Sequence, residues 1–348
     1  MDEVILCGGS FNSPQLLELS GVGDSMWLEK LNINTVVDLP GVGENLQDHP
    51  AVTLSFKLKD GLESLDLLNA AHRDFTTAAF KDYKRGLGPL TQGCPVISYF
   101  PPKLLFSSTE QAQAEDLLRV KKDVRGERHE IAADRGRRKM LKIEQENYPK
   151  RAIVEVIAMN KFLGGTKYKK GDCYIGMIIA LQHALSRGSV HIKSTNPLEK
   201  PAVDPRYLSH PADAFHLALG TRFVYRMCMG PDGAMADYID QEHVESVGFS
   251  GIDLRNGEEG DEAQWDAFVR KHVATEHHPA GTCSMLPRAD GGVVDPTLKV
   301  YGTANVRVAD CSIIPLHIAT HTQSTAYMIG EKASDLVIEA QLQRRKGW

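Results

Sequence analysis

The chain has 348 residues, 42% of them apolar, with a formal net charge of −5 and a pI near 6.2. That length accommodates two domains or one large α/β body with an extensive core, and the acidic balance argues against nucleic acid or an anionic membrane as a general partner. Six cysteines (Cys7, Cys94, Cys173, Cys228, Cys283, Cys311) have no paired spacing, which argues against a zinc module or a disulfide scaffold.

Residues 3–7 read as a strand, Gly8-Gly9-Ser10 as a tight turn, and Ser13-Pro14 as a helix start, with Ser as the N-cap and Pro at the first helical position. The helix runs over 14–19 and ends at Gly21. Such a strand–turn–helix unit cannot bury its own apolar faces, so parallel strands are expected beside it. The start, Met1-Asp2-Glu3, lacks the basic residues and long apolar middle of a signal peptide. Residues 33–39 read as another strand, followed by Pro40-Gly41-Val42-Gly43. Strands and loops alternate over 51–106, punctuated by Gly86, Gly88 and Gly93.

Over 109–145 the composition changes: Glu115, Asp116, Arg119, Lys121, Lys122, Arg135, Arg137, Arg138 and Lys139 predict a charged helical excursion. Its mixed signs favour a solvated surface over a binding patch. The β pattern returns at 152–157, 173–181 and 188–192, and a Pro-punctuated loop covers 201–211. The apolar run at 175–181 is the longest, reading as a buried strand too short to span a bilayer. Helical spacing then covers 212–228, with Phe215, Leu217, Leu219, Phe223 and Val224 close together. The last helix, 324–343, places Ile329, Ala333, Leu336, Val337 and Ala340 on one face. No internal repeat is present.

Two histidines lie in distinctive settings: His278, in His278-Pro279-Ala280-Gly281-Thr282-Cys283-Ser284-Met285, and His321, in His321-Thr322-Gln323. Imidazole takes or gives a proton near neutral pH, so a convergent pair is a means of activating a hydroxyl. Each alone is compatible with an ordinary satisfied histidine. His277 is expected to face away from His278 by alternation along an extended segment, and His317 is expected to be structural.

Several segments together resemble the glucose–methanol–choline oxidoreductase family of FAD enzymes. They are residues 9–23 (Gly9-Ser10-Phe11-Asn12-Ser13-Pro14 through Gly21-Val22-Gly23), Asn45-Leu46-Gln47-Asp48-His49, and Leu185-Ser186-Arg187-Gly188-Ser189-Val190 with Asp204-Pro205-Arg206-Tyr207-Leu208. The last run from His278 to Met285 through Val293-Val294-Asp295-Pro296 and Val306-Arg307-Val308-Ala309-Asp310 to His321. The resemblance covers nearly all of the chain except the charged excursion. One departure stands out: no strand–Gly-x-Gly-x-x-Gly–helix unit of the kind that holds a flavin pyrophosphate is found.

The resemblance implies a mixed α/β (α+β) fold. Residues 1–50 would be the remainder of a Rossmann-like FAD-binding domain without its Gly-x-Gly-x-x-Gly unit. Residues 51–270 would form a substrate domain on an antiparallel sheet with helices, and 271–348 would return to the FAD-binding domain. It implies oxidation of an alcohol by hydride transfer to FAD, with His278 as general base, His321 as its partner, and oxygen or a quinone as electron acceptor. Cofactor-side positions are Asp310, Cys311, Thr322, Gln323, Asn45, Gly9 and Ser10, with the N-terminus of the last helix able to face charge developing on the flavin. Cys311 stands where relatives usually carry Ala or Gly. For Asn45 and Asp48 the alternative role is closing a turn, and Cys283 is expected to be a packing thiol. Weak flavin retention is expected of a chain lacking the pyrophosphate unit. Two alternatives stay open: a non-catalytic truncated fragment, and a flavin-retaining lyase on the same fold.

Overall fold

In a computed structural model, residues 3–68, 72–91, 96–119, 132–164, 169–241 and 262–346 are described. Gly93, Cys94, Lys121 and Lys122, singled out above, lie outside them.

A five-stranded antiparallel sheet forms the larger body, in the spatial order Ala274–Thr275, Pro50–Lys57, Tyr174–Leu181, Val154–Met159, Val96–Phe100. Pro50–Lys57 is buried almost without interruption rather than alternately, the pattern of a strand covered on both faces. Helix Pro211–Met229 packs across the sheet, and helix Glu262–His272 packs against that helix. The close approach occurs at Gly220, where a Cβ would lie 3.0 Å from a Val154 methyl. Phe56, Val154, Ile179, Leu217, Tyr225 and Trp265 belong to the resulting core.

A second, smaller core gathers Leu17, Val42, Cys283, Val294, Val308 and Ile329 from the two ends of the sequence. Strand Val4–Leu6 does acquire a parallel partner, Val306–Val308, supplied from about three hundred residues downstream. The first helix begins earlier than its capping signal predicts, at Gly9, so that Pro14 lies inside Gly9–Leu19. Pro14 has no N–H to give the Ser10 carbonyl one turn back; that oxygen instead accepts the Thr282 hydroxyl at 2.7 Å. Ser13 accepts from the Gly8 N–H and donates to Asp310 at 2.6 Å, so its side chain bridges distant segments instead of capping the helix it was expected to start.

Other boundaries also move. Only Val37–Asp38 of the expected 33–39 strand is paired, in parallel with Val22–Gly23. The Pro-punctuated loop contains strand Ala202–Asp204, which pairs with Ser189–His191. The charged excursion forms helices Ser108–Leu118 and Ala132–Asn147, and these are not simply a solvated face. Glu110, Ala114, Leu118, Met140 and Glu144 are buried, Glu110 pairs with buried Arg222, and Lys139 holds Asp290 at 2.6 Å. The last helix, Gln323–Lys346, buries Ile329 and Ala333 of its expected face, and leaves Leu336, Val337 and Ala340 half-buried. No described helix is long and apolar enough to cross a membrane.

Candidate active site

The sheet carries one histidine to the other. Thr275 pairs with Pro50 at the edge strand, and the Glu276 N–H donates to the His49 carbonyl at 3.0 Å. Glu276 and His278 are thereby set against Asp48 and His49. Asp48 fixes the crossing: Oδ1 accepts the N–H of His49 (2.8 Å) and of His278 (3.0 Å), while Oδ2 accepts the Tyr207 hydroxyl (2.6 Å) and that of Thr275. These bonds tie Asp48 to segments far along the chain rather than closing a local turn. His321, just before the last helix, reaches the same place, with its ring centroid 5.0 Å from that of His278 at an interplanar angle of 40°. Both predicted histidines therefore converge.

Hydrogen-bond partners determine where the protons sit. His49 Nε2 faces the Ile318 carbonyl at 3.1 Å. A carbonyl only accepts, so neutral His49 carries its proton on Nε2 and has a lone pair on Nδ1. His278 Nδ1 is 3.0 Å from that lone pair and is the donor. The remaining nitrogen of His278, Nε2, is then an acceptor with no hydrogen-bond partner among the described residues. His317 is fixed similarly: Nε2 donates to the His278 carbonyl at 2.7 Å, Nδ1 accepts from the Ile318 N–H at 3.0 Å, and the ring lies 3.9 Å from that of His49. Burial, reinforced by the neighbouring His49, holds His317 down to about 3, keeping it neutral. It is structural as expected, in direct support of the His278 backbone.

Two carboxylates complete the cluster. Glu276 Oε2 is 3.5 Å from His49 Nδ1 and 3.7 Å from His278 Nδ1, ion-pair distances too long for hydrogen bonds. Burial opposes its ionisation, but His278 and His49 outweigh burial and hold the carboxyl down to about 2. Glu155 is the second residue of strand Val154–Met159. Its Oε1 is 2.9 Å from His321 Nε2 and its Oε2 accepts from Gln182 Nε2 at 2.7 Å. Burial first, then the charge of Glu276, raises its pKa. Tyr99 is raised to about 12 by burial and by its hydrogen bond to Glu155. The chain thus offers an imidazole with a free acceptor, a second imidazole backed by a carboxyl, and an anionic carboxylate beside the first.

The cofactor-side positions occupy the rim and the smaller core. Asp310 accepts from Gly9 N (3.0 Å), Ser13 Oγ and Ser312 N (2.8 Å), so its side chain is spent on the fold and only its backbone remains for a ligand. Cys311 begins the short turn that follows, and its carbonyl accepts from Gly281 N. Ser10 Oγ donates to the Pro279 carbonyl at 2.7 Å, tethering the residue next to His278. Asn45 donates to Ser284 and Pro315, and its buried Oδ1 has no partner among the described residues. Thr322 and Gln323 begin the last helix, whose first turn has no acidic residue and where Gln323 is exposed.

His277 does turn away, though not by strand alternation: it is exposed, with φ +67°, in a left-handed turn. Cys283 is fully buried, and burial pushes its thiol far up, the behaviour of a packing residue. Sequence reasoning missed His49, Glu155, Glu276, Tyr99 and Gln182. Glu155 carried a signal, a lone charge inside the apolar run Val154-Glu155-Val156-Ile157. Glu276, two residues before His278, carried a weaker one.

Profiles described as GMC oxidoreductase match residues 1–51 and 184–330. A GMC oxidoreductase family protein of Malassezia sympodialis is 34% identical over 337 residues, covering 97% of this chain and 49% of that protein. An alcohol oxidase of Candida boidinii is 27% identical over 398 residues, covering 97% and 56%. A solved FAD-dependent oxidoreductase from Chaetomium thermophilum superposes with a TM-score of 0.80 at 25% identity, covering 98% of this chain and 55% of that one. The chain spans about half the length of the curated relatives it matches.

Proposed function

Because the chain belongs to the GMC oxidoreductase family, we propose that it carries the proton-accepting side of an FAD-dependent oxidation of a small-molecule alcohol. His278 is the general base and His321 its partner; oxygen or a quinone is the electron acceptor. The observation that carries this reading is the pair of rings 5.0 Å apart in which His278 Nε2 keeps a free lone pair.

The residues fit the cofactor on two counts: the orphaned buried amide oxygen of Asn45, and an exposed helix start without acidic side chains at Thr322 and Gln323. Asn45, Thr322 and Gln323, the backbone of Asp310 and Cys311, and the Gly9-Ser10 helix start would hold it. FAD, when bound, supplies the hydride acceptor. An alcohol hydroxyl held between the two imidazoles gives its proton to His278 Nε2. The resulting imidazolium has Glu276 beside it as counter-ion and His49 Nδ1 as hydrogen-bond acceptor, so positive charge is stabilised where it develops. The basicity of Glu155, raised by burial, favours a proton shared with His321 Nε2, which leaves His321 Nδ1 to donate to the hydroxyl oxygen and orient it.

The test is anaerobic reduction of the flavin-loaded protein by methanol and benzyl alcohol. Wild type should be reduced, and His278→Ala should slow reduction by about a hundredfold or more. Equal rates in the two proteins remove the base assignment; no reduction by either alcohol removes the alcohol reading.

A further inference from the structure

We propose that His49, Glu276 and His278 form a binding site for a divalent transition-metal ion of the zinc class. The three ligand atoms are His49 Nδ1, His278 Nδ1 and Glu276 Oε2, separated by 3.0, 3.5 and 3.7 Å. In a triangle with these sides, the point equidistant from the corners is about 2.0 Å from each, the length of a Zn–N or Zn–O bond.

A second observation points the same way. The Glu276 side chain is only 6% exposed, yet among the described residues neither of its oxygens has a hydrogen-bond partner. A buried carboxylate without hydrogen bonds is costly unless a positive charge compensates it; an ion at the centre of the triangle supplies that charge permanently, which His49 and His278 do only when one of them is protonated. Buried His49 is already set as a ligand: its Nε2–H is committed to the Ile318 carbonyl, which leaves Nδ1 with its lone pair, the outer-shell arrangement common to metal-bound histidines. The backbone bond from Glu276 N to the His49 carbonyl and that from His278 N to Asp48 hold the ligand segments in register. Two imidazoles and one carboxylate suit zinc and disfavour magnesium and calcium, which take oxygen ligands. Glu276 Oε1 lies 3.8 Å from His321 Nε2.

Binding displaces the proton from His278 Nδ1, the one N–H that neutral His278 carries. His278 stays neutral by changing tautomer: that proton moves to Nε2, no net proton is lost, and Nε2 ceases to be an acceptor. The ion therefore inhibits proton abstraction, a consequence that rests on the function proposed above; binding itself does not.

Titration of Zn2+ into the metal-stripped full chain, followed calorimetrically in two buffers of different ionisation heat, tests the site. The expected result is one ion per chain with almost no net proton release, because His278 changes tautomer rather than charge. Glu276→Gln should weaken binding at least tenfold with its circular dichroism melt retained, whereas His277→Ala, altering the exposed neighbouring histidine, should bind as wild type. Absence of saturable binding, or equal binding by wild type and Glu276→Gln, overturns the site. In the flavin-loaded protein, Zn2+ should slow reduction by benzyl alcohol and EDTA should restore it. Stoichiometric binding without slowing leaves the site standing and overturns the His278 base assignment.

Discussion

Replacing His49 by Leu tests the proton arrangement without touching either predicted catalytic histidine. Leucine fills similar volume in a side chain that is fully buried but removes the acceptor 3.0 Å from His278 Nδ1. With neutral His278 that hydrogen bond is worth about 0.5–1.5 kcal/mol, and with His278 charged about 1.5–3 kcal/mol. Only the difference, about 1–2 kcal/mol, acts on the barrier, because only interactions stronger in the transition state accelerate a step. His49→Leu should therefore slow flavin reduction about 5- to 30-fold. His49→Asn, which places an amide oxygen near the lost nitrogen, should recover most of that rate. Stopped-flow reduction gives the rates, and imidazole 15N shifts report whether His278 still carries its proton on Nδ1. A His49→Leu protein that folds, reacts at the wild-type rate and keeps the His278 tautomer would refute the proton accounting.

Other outcomes concern stability and reactivity. Burial lowers the basicity of His191, but its bonds to Glu18 (2.7 Å) and Glu44 (3.1 Å) outweigh burial and raise it to about 9. Its contribution, about 1–3 kcal/mol, is full below the unfolded value near 6.5 and is lost as pH rises through about 9; thermal melts should fall across that window in wild type and less steeply in His191→Gln. Gly43→Ala places a Cβ 2.1 Å from the Val190 carbonyl at φ +80° and should cost about 3 kcal/mol or more in urea unfolding, by strain plus displacement of that strand. Glu110→Ala leaves the buried Arg222 guanidinium without its carboxylate and should destabilise by about 3–5 kcal/mol in the same assay. Cys283 should resist a thiol reagent in the native state and react once unfolded, since burial suppresses its thiolate.

Periodicity and turn chemistry made many elements legible. The last helix repeats apolar residues at its own pitch, the 173–181 run is too short and apolar to be anything but a buried segment, and His278 and His321 stand in distinctive local sequences. These signals are local: each depends on side chains within a few positions of one another. The first helix shows their limit. Ser13-Pro14 looks like a helix start, but the Ser10 carbonyl freed by Pro14 finds the Thr282 hydroxyl, and the helix extends back to Gly9.

From residue types and order came the strand and helix patterns, the two histidines and the family resemblance, and the resemblance implied the antiparallel sheet with helices. Tertiary structure decided how those histidines are supported. His49 lies about 230 positions from His278 along the chain, and only sheet pairing and the Asp48 crossing bring it and Glu155 to that site. Which nitrogen keeps a lone pair depends on a carbonyl, Ile318, whose side chain announces nothing, because a backbone acceptor has no sequence signature.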